Sequence, residues 1–170
     1  FLNILNREDL VDNRGVTVDN TFAGAVITVR NYNGDVDITN TGALTLGDAT
    51  TGQASFTKDG DFVATANSPL TVATDIYTIG AGDIILNATG ADDLTVNGDI
   101  TINAEAGTVA LIAEGGNIVL GVAPLPPLSK VAINAAEFLY IISQNGNIVV
   151  NTTTLLDATS MILATAPTGS

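Results

Sequence analysis

Residues 97–121 read NGDITINAEAGTVALIAEGGNIVLG, and this stretch decides the fold. One phrase occurs in it three times: a Gly-led corner, then apolar, any residue, apolar. The copies are Gly98-Asp99-Ile100-Thr101-Ile102, Gly107-Thr108-Val109-Ala110-Leu111 and Gly116-Asn117-Ile118-Val119-Leu120. Strict alternation puts the first and third residues of each short strand on one face. Gly followed by Asp or Asn supplies the corner, because these residues accept positive φ or bond their own backbone.

The phrase extends outward in both directions. Upstream it reads Gly34-Asp35-Val36-Asp37-Ile38, Gly42-Ala43-Leu44-Thr45-Leu46, Gly82-Asp83-Ile84-Ile85-Leu86 and Asp92-Asp93-Leu94-Thr95-Val96; downstream, Gly146-Asn147-Ile148-Val149-Val150. Weaker copies start at Gly60, Pro69 and Val131. The anchors Leu94, Ile100, Val109 and Ile118 follow one another closely, which leaves only a few residues per corner. Taking every second phrase gives Leu70, Ile84, Ile100, Ile118, Ile133 and Ile148, with steps that suggest part or all of one coil but do not fix its length. Strands this short, opened by the same corner, predict an all-β, single-domain parallel β-solenoid, a right-handed β-helix. A β-sandwich or Greek-key barrel of hairpins is the competing architecture.

Composition narrows the chemistry. The chain has 170 residues, 18 Asp+Glu against 5 Lys+Arg, a net charge of -13, and no His, Cys or Trp. One domain with a substantial core follows from the length. The acidic balance argues against nucleic acid, which is bound through clustered Lys and Arg. Without His or Cys, the usual zinc, haem and iron–sulfur ligands and the Ser–His and Cys–His nucleophile pairs are missing. With 23 Thr, 16 Asn and 17 Gly, the polar part is mostly uncharged and suits strands and tight corners. No apolar run approaches the length of a membrane span. The start at Phe1 lacks a basic region and a long apolar stretch, so it does not read as a signal peptide. It reads as a processed chain or a piece of a larger one.

The phrases GDVDITNTGALTLG (34–47), GDIILNATG (82–90), 97–121 as quoted, and NGNIVV (145–150) resemble the repeat region of filamentous-haemagglutinin-type and autotransporter-passenger-like proteins. The resemblance implies a right-handed parallel β-helix of the bacterial surface, acting as an adhesin or stalk. The secretion-domain signature that such proteins carry near their N-terminus is not found here, so the likeness is to a repeat module.

Residues 1–15 stand apart as an N-terminal cap or assembly segment. Phe1, Leu2, Ile4 and Leu5 recur near helical spacing beside Arg7, Glu8, Asp9, Asp12 and Arg14. The solenoid domain is expected over 16–166, and 167–170 is a tail. A Pro-rich excursion at 121–130 interrupts it, because Pro124, Pro126 and Pro127 cannot donate to a ladder. Subunit contact is expected from the apolar residues of these two places: Phe1, Leu2, Ile4 and Leu5, and Val122, Leu125 and Leu128. Deleting Phe1 to Asp9 is expected to abolish assembly and leave the fold.

Carboxylate pairs are the remaining chemistry. Asp35/Asp37, Asp59/Asp61 and Asp92/Asp93 could in principle serve polysaccharide cleavage, but bases are scarce, and capping of corners with a soluble surface is the favoured reading. Calcium at corner carboxylates is the only cofactor left open, and no ligand set matches a calcium loop. Thr39, Thr45, Thr95 and Thr101 fall on outward faces, where hydroxyls support the sheet or meet sugar or mineral surfaces. Asn87-Ala88-Thr89 and Asn151-Thr152-Thr153 match the N-glycan acceptor pattern, as chance allows in so Asn- and Thr-rich a chain. The sequence therefore predicts an extracellular or cell-surface structural protein, non-enzymatic and without catalytic residues. It would act as a self-assembling filament subunit or adhesin stalk whose main partner is a further copy of itself. A carbohydrate-binding surface module is the alternative, held back by an aromatic content of 5%; a polysaccharide-degrading enzyme is the third.

Overall fold

A computed structural model describes residues 1–6, 15–122 and 129–165. The chain is all-β. In order, the strands are β1 (Leu2–Asn6), β2 (Val16–Asn20), β3 (Gly24–Asn31), β4 (Val36–Asn40), β5 (Ala43–Leu46) and β6 (Ser55–Lys58). Next come β7 (Phe62–Ala66), β8 (Leu70–Val72), β9 (Ile76–Ile79), β10 (Ile84–Ala88), β11 (Leu94–Val96) and β12 (Ile100–Ala104). The last five are β13 (Val109–Ala113), β14 (Ile118–Leu120), β15 (Lys130–Ser143), β16 (Ile148–Val150) and β17 (Thr153–Thr165).

All seventeen join one sheet of parallel ladders that winds into a solenoid of about six turns. Each turn has three faces. Face A carries β2, β4, β7, β10, β13 and the second halves of β15 and β17. Face B carries residues 24–27 of β3, then β5, β8, β11, β14 and β16. Face C carries β1, residues 27–31 of β3, then β6, β9, β12 and the first halves of β15 and β17. On face B, Leu44, Leu70, Leu94 and Ile118 are successive partners. Between Leu94 and Ile118 the chain passes through β12 and β13, so a coil takes three phrases. The every-second-phrase series mixes faces: Leu70, Ile118 and Ile148 lie on B, Ile84 on A, Ile100 and Ile133 on C.

Alternation makes the core. In β7, β10 and β12 every second residue is buried and the others are half-buried. Like positions stack along the axis: Val36, Phe62, Ile84, Val109 and Leu139 form one fully buried column on face A. Phe62 is the largest side chain in that core, and Ala64 and Ala66 follow it on the same face. Each large apolar side chain contributes about 1.5–3 kcal/mol by leaving water. Several of the buried polar residues sit at strand ends, where corner carbonyls need donors. Buried Asn31 Nδ2 donates to Gly34 O at 2.8 Å and buried Thr78 Oγ1 donates to Gly82 O at 2.8 Å. Thr57 Oγ1 also donates to Gly34 O.

Corners between faces C and A are glycine for steric reasons. A Cβ on Gly60 would lie 2.3 Å from Gly34 C, and one on Gly82 would lie 2.0 Å from Gly60 O. The backbones of successive turns touch there, so no side chain fits.

Three segments differ from, or complete, the sequence reading. The start is a strand, not a helix: Leu2 and Ile4 partner Ile27 and Val29, and the edge of β3 supplies hydrogen bonds that so short a helix would lack. The apolar run 131–142, whose sequence fits a helix or a strand, lies within the single strand β15, which passes from face C to face A at an irregularity between Ala135 and Phe138. The excursion after β14 lengthens its turn, so that Ile100 finds its next partner only at Val131.

Candidate functional site

The corner carboxylates are bound to backbone of the next turn. Asp35 Oδ1 accepts the N–H of Asp61 at 2.9 Å, Asp61 Oδ1 accepts that of Asp83 at 2.9 Å, and Asp83 Oδ1 accepts that of Thr108 at 2.8 Å. The other corners repeat the device. Asp93 Oδ1 accepts from Asn117 N at 2.7 Å, Asn117 Oδ1 from Asn147 N at 2.9 Å, and Asp75 Oδ1 from Thr101 N at 2.7 Å. Each is a charged or amide oxygen clamping one turn to the next along the axis. Of the sequence pairs, Asp35 and Asp61 belong to one such ladder. Asp37 is exposed on face A, Asp59 holds a left-handed φ of 54° at its corner, and Asp92 accepts from Ser68 Oγ at 3.3 Å. The carboxylate pairs of the sequence reading leave out Asp75 and Asp83, although the Gly-Asp opening of a phrase marks Asp83. Among the described residues, no group of three or more acidic side chains is placed to hold a metal ion.

Among the described residues, two titrations are displaced. Asp48 is lowered because Thr50 donates to it through its hydroxyl and its backbone N–H. Tyr77 is pushed up to about 12, first by burial, then by its hydrogen bond to Asp75 and the charge of that carboxylate.

The sequence-predicted contact residues fall at two places. Leu2 and Ile4 partner the inward residues Ile27 and Val29 on the first strand of face C; Ile4 is half-buried, whereas Leu2, Phe1 and Leu5 are exposed. With Val18, Phe22 and Ala25 and the polar Asp19 and Asn20, Phe1 and Leu2 line a mixed cavity of about 320 Å³ at this end of the rod. Val122 is exposed just after β14; Leu125 and Leu128 lie outside the described residues. The sequence reading misses the opposite end. There, inward positions are open: Val150 is 55% exposed, Met161 41% and Leu163 51%. Their partners one turn back, Leu120, Leu139 and Ile141, are fully buried. Thr45 and Thr95 share one outward column on face B with Thr71 between them, whereas Thr39 lies on face A and Thr101 on face C. Of the glycan-acceptor asparagines, Asn87 is half-buried on face A, and Asn151 is exposed and donates through Nδ2 to Gly121 O at 2.9 Å.

Compared with protein-family models, curated proteins and solved structures, the chain matches none.

Proposed function

We propose that the chain is a non-enzymatic structural segment of an extracellular β-solenoid rod, a filament subunit or adhesin stalk that extends by axial stacking. The observation that carries this reading is the open core at the β16–β17 end, where Val150, Met161 and Leu163 continue buried columns into solvent. The two ends are complementary face by face. Residues 148–150, 153–158 and 160–165 end faces B, C and A, and residues 24–27, 2–6 and 16–20 begin the same three faces. A second rod laid head to tail would pair three parallel edges at once and bury both apolar ends. Such a heterologous contact does not close, so it propagates into a filament. The use of corner carboxylates as backbone acceptors supports a mechanical role for them over acid catalysis. The resemblance of residues 34–47, 82–90, 97–121 and 145–150 to filamentous-haemagglutinin-type repeats favours the bacterial surface as its setting.

Negative-stain electron microscopy of the purified chain at high concentration tests this. Filaments with an axial repeat of about 3 nm are expected, six turns at the ordinary ladder spacing. Deleting the N-terminal segment removes a whole strand and exposes the next edge, so point changes are the sharper probe. Val150→Lys with Leu163→Lys is expected to leave single rods with unchanged circular dichroism. Dispersed rods from the unaltered chain, or filaments from the double variant, would overturn the reading.

A further inference from the structure

The side of the rod carries a second feature, independent of how its ends join. On face C one outward column runs through five successive turns: Phe56 partners Tyr77, Tyr77 partners Asn103, Asn103 partners Asn134, and Asn134 partners Asp157. At the ladder spacing the column is about 19 Å long. Two depressions lie along it, of about 420 Å³ and 350 Å³, and both are lined by Asn103 and Glu105. They therefore form one shallow groove, apolar at the Phe56–Tyr77 end and polar at the Asn134–Asp157 end.

The chain is poor in aromatic residues, with 3 Tyr, 5 Phe and no Trp. Their placement is what matters. Tyr77 and Phe56 stand in adjacent turns of this column, and Tyr32 packs edge-on against Phe56 with ring centroids 4.9 Å apart. Tyr77 is also held in place. Its hydroxyl donates to Asp75 Oδ2 at 2.8 Å, and the other oxygen of that carboxylate accepts from Thr101 N in the next turn. A ring tied back in this way is preorganised, so little side-chain freedom remains to be lost on binding.

We propose that this groove binds a linear, uncharged polysaccharide laid along the rod axis. The chemistry of each part fits such a ligand. Aromatic rings take the apolar faces of sugar rings, with Tyr offering a polar edge as well. Asn103 and Asn134 each offer both a donor and an acceptor, which matches hydroxyl groups that are also both. Glu105 and Asp157 accept hydrogen bonds from hydroxyls. One ladder step is close to the length of one sugar in an extended chain, so a repeating polymer meets the column in step. The net charge of -13, with Glu105 and Asp157 in the groove itself, repels polyanionic glycans. Face A also carries a stacked ring pair, Phe138 and Tyr140, but the outward partners of Tyr140 there are Ala110 and Ile162, which offer no hydroxyl-bonding groups.

The test is affinity electrophoresis and calorimetry of the full chain against hexamers and polymers of β-linked glucose, mannose and N-acetylglucosamine, with heparin and polygalacturonate as charged comparators. Binding to at least one uncharged polymer is expected. The Phe56→Ala, Tyr77→Ala double variant should weaken it about tenfold or more, from the loss of two ring contacts. Asn134→Ala, at the polar end and away from the rings, should weaken it about threefold or more while leaving the circular dichroism unchanged. Tyr140→Ala, on face A, should leave binding as it is. No binding to any uncharged polymer, preference for the charged ones, or equal affinity in the Asn134→Ala variant would overturn the proposal.

Discussion

The carboxylate of Asp61 accepts the backbone N–H of Asp83, a full turn further along the chain, at 2.9 Å. Asp61 is exposed and its own N–H is held in turn by Asp35. The residue is thus a link in an axial chain, and its acidity serves geometry. A sheet ladder along each face already bonds successive turns. The corner carboxylates extend that bonding to the places where the ladder would lapse.

Asp61→Ala should cost about 1–2 kcal/mol of unfolding free energy, the value of a hydrogen bond to a charged acceptor reduced by exposure. Asp61→Asn keeps an oxygen in place and should cost less than half as much. Asp37→Ala, in the middle of a strand and exposed on face A, should stay within about 0.5 kcal/mol. Urea unfolding of the three variants measures the difference. An equal effect at 61 and 37 would show the axial bond to be without consequence.

Much of the fold is legible in the sequence because its parts are local. Leu94, Ile100, Val109 and Ile118 read as anchors of short strands, and each is the first inward residue of one. The three steps between them together span one coil, since Leu94 and Ile118 are stacked partners. The turn is therefore present in the spacing, but nothing local says how many corners close a coil. Variation hides the period further. Ser55–Lys58 opens without a Gly-Asp phrase, and the excursion after Leu120 stretches one turn so that Ile100 meets Val131. The groove is illegible for the same reason. Phe56 and Tyr77 are distant in sequence and become neighbours only once the stacking register is known.

A corner glycine and a strand glycine should respond differently to alanine, according to what lies above each. Gly60→Ala places a methyl group 2.3 Å from the Gly34 backbone, which must shift, and should destabilise by about 1–3 kcal/mol as overpacking does. Gly24 has nothing within 4 Å of its would-be Cβ. Gly24→Ala should be neutral or stabilise by about 0.4–1 kcal/mol, by restricting the unfolded chain. Thermal and urea unfolding compare them directly. Similar losses at both positions would mean that close stacking of the corners is not what selects glycine.

Tyr77 gives the fold a dependence on alkaline pH. Burial, the bond to Asp75 and the charge of that carboxylate raise it from 10.0 to about 12, so the folded chain favours the neutral phenol. In the unfolded chain the same group ionises near its ordinary value of about 10. Its stabilising contribution is therefore complete below about pH 10 and is lost as pH rises through about 12. Tyr77→Phe has no proton to lose and should remove this part of the slope. The difference in unfolding free energy between the unaltered chain and Tyr77→Phe should narrow steadily over that window. Asp75→Asn keeps an acceptor but removes the charge, so phenolate absorbance should then show Tyr77 ionising at lower pH. It should not return fully to the ordinary value, because burial remains the largest cause. A stability difference that stays constant from about pH 10 to about pH 12 would mean that the folded chain does not raise Tyr77, by burial or by Asp75.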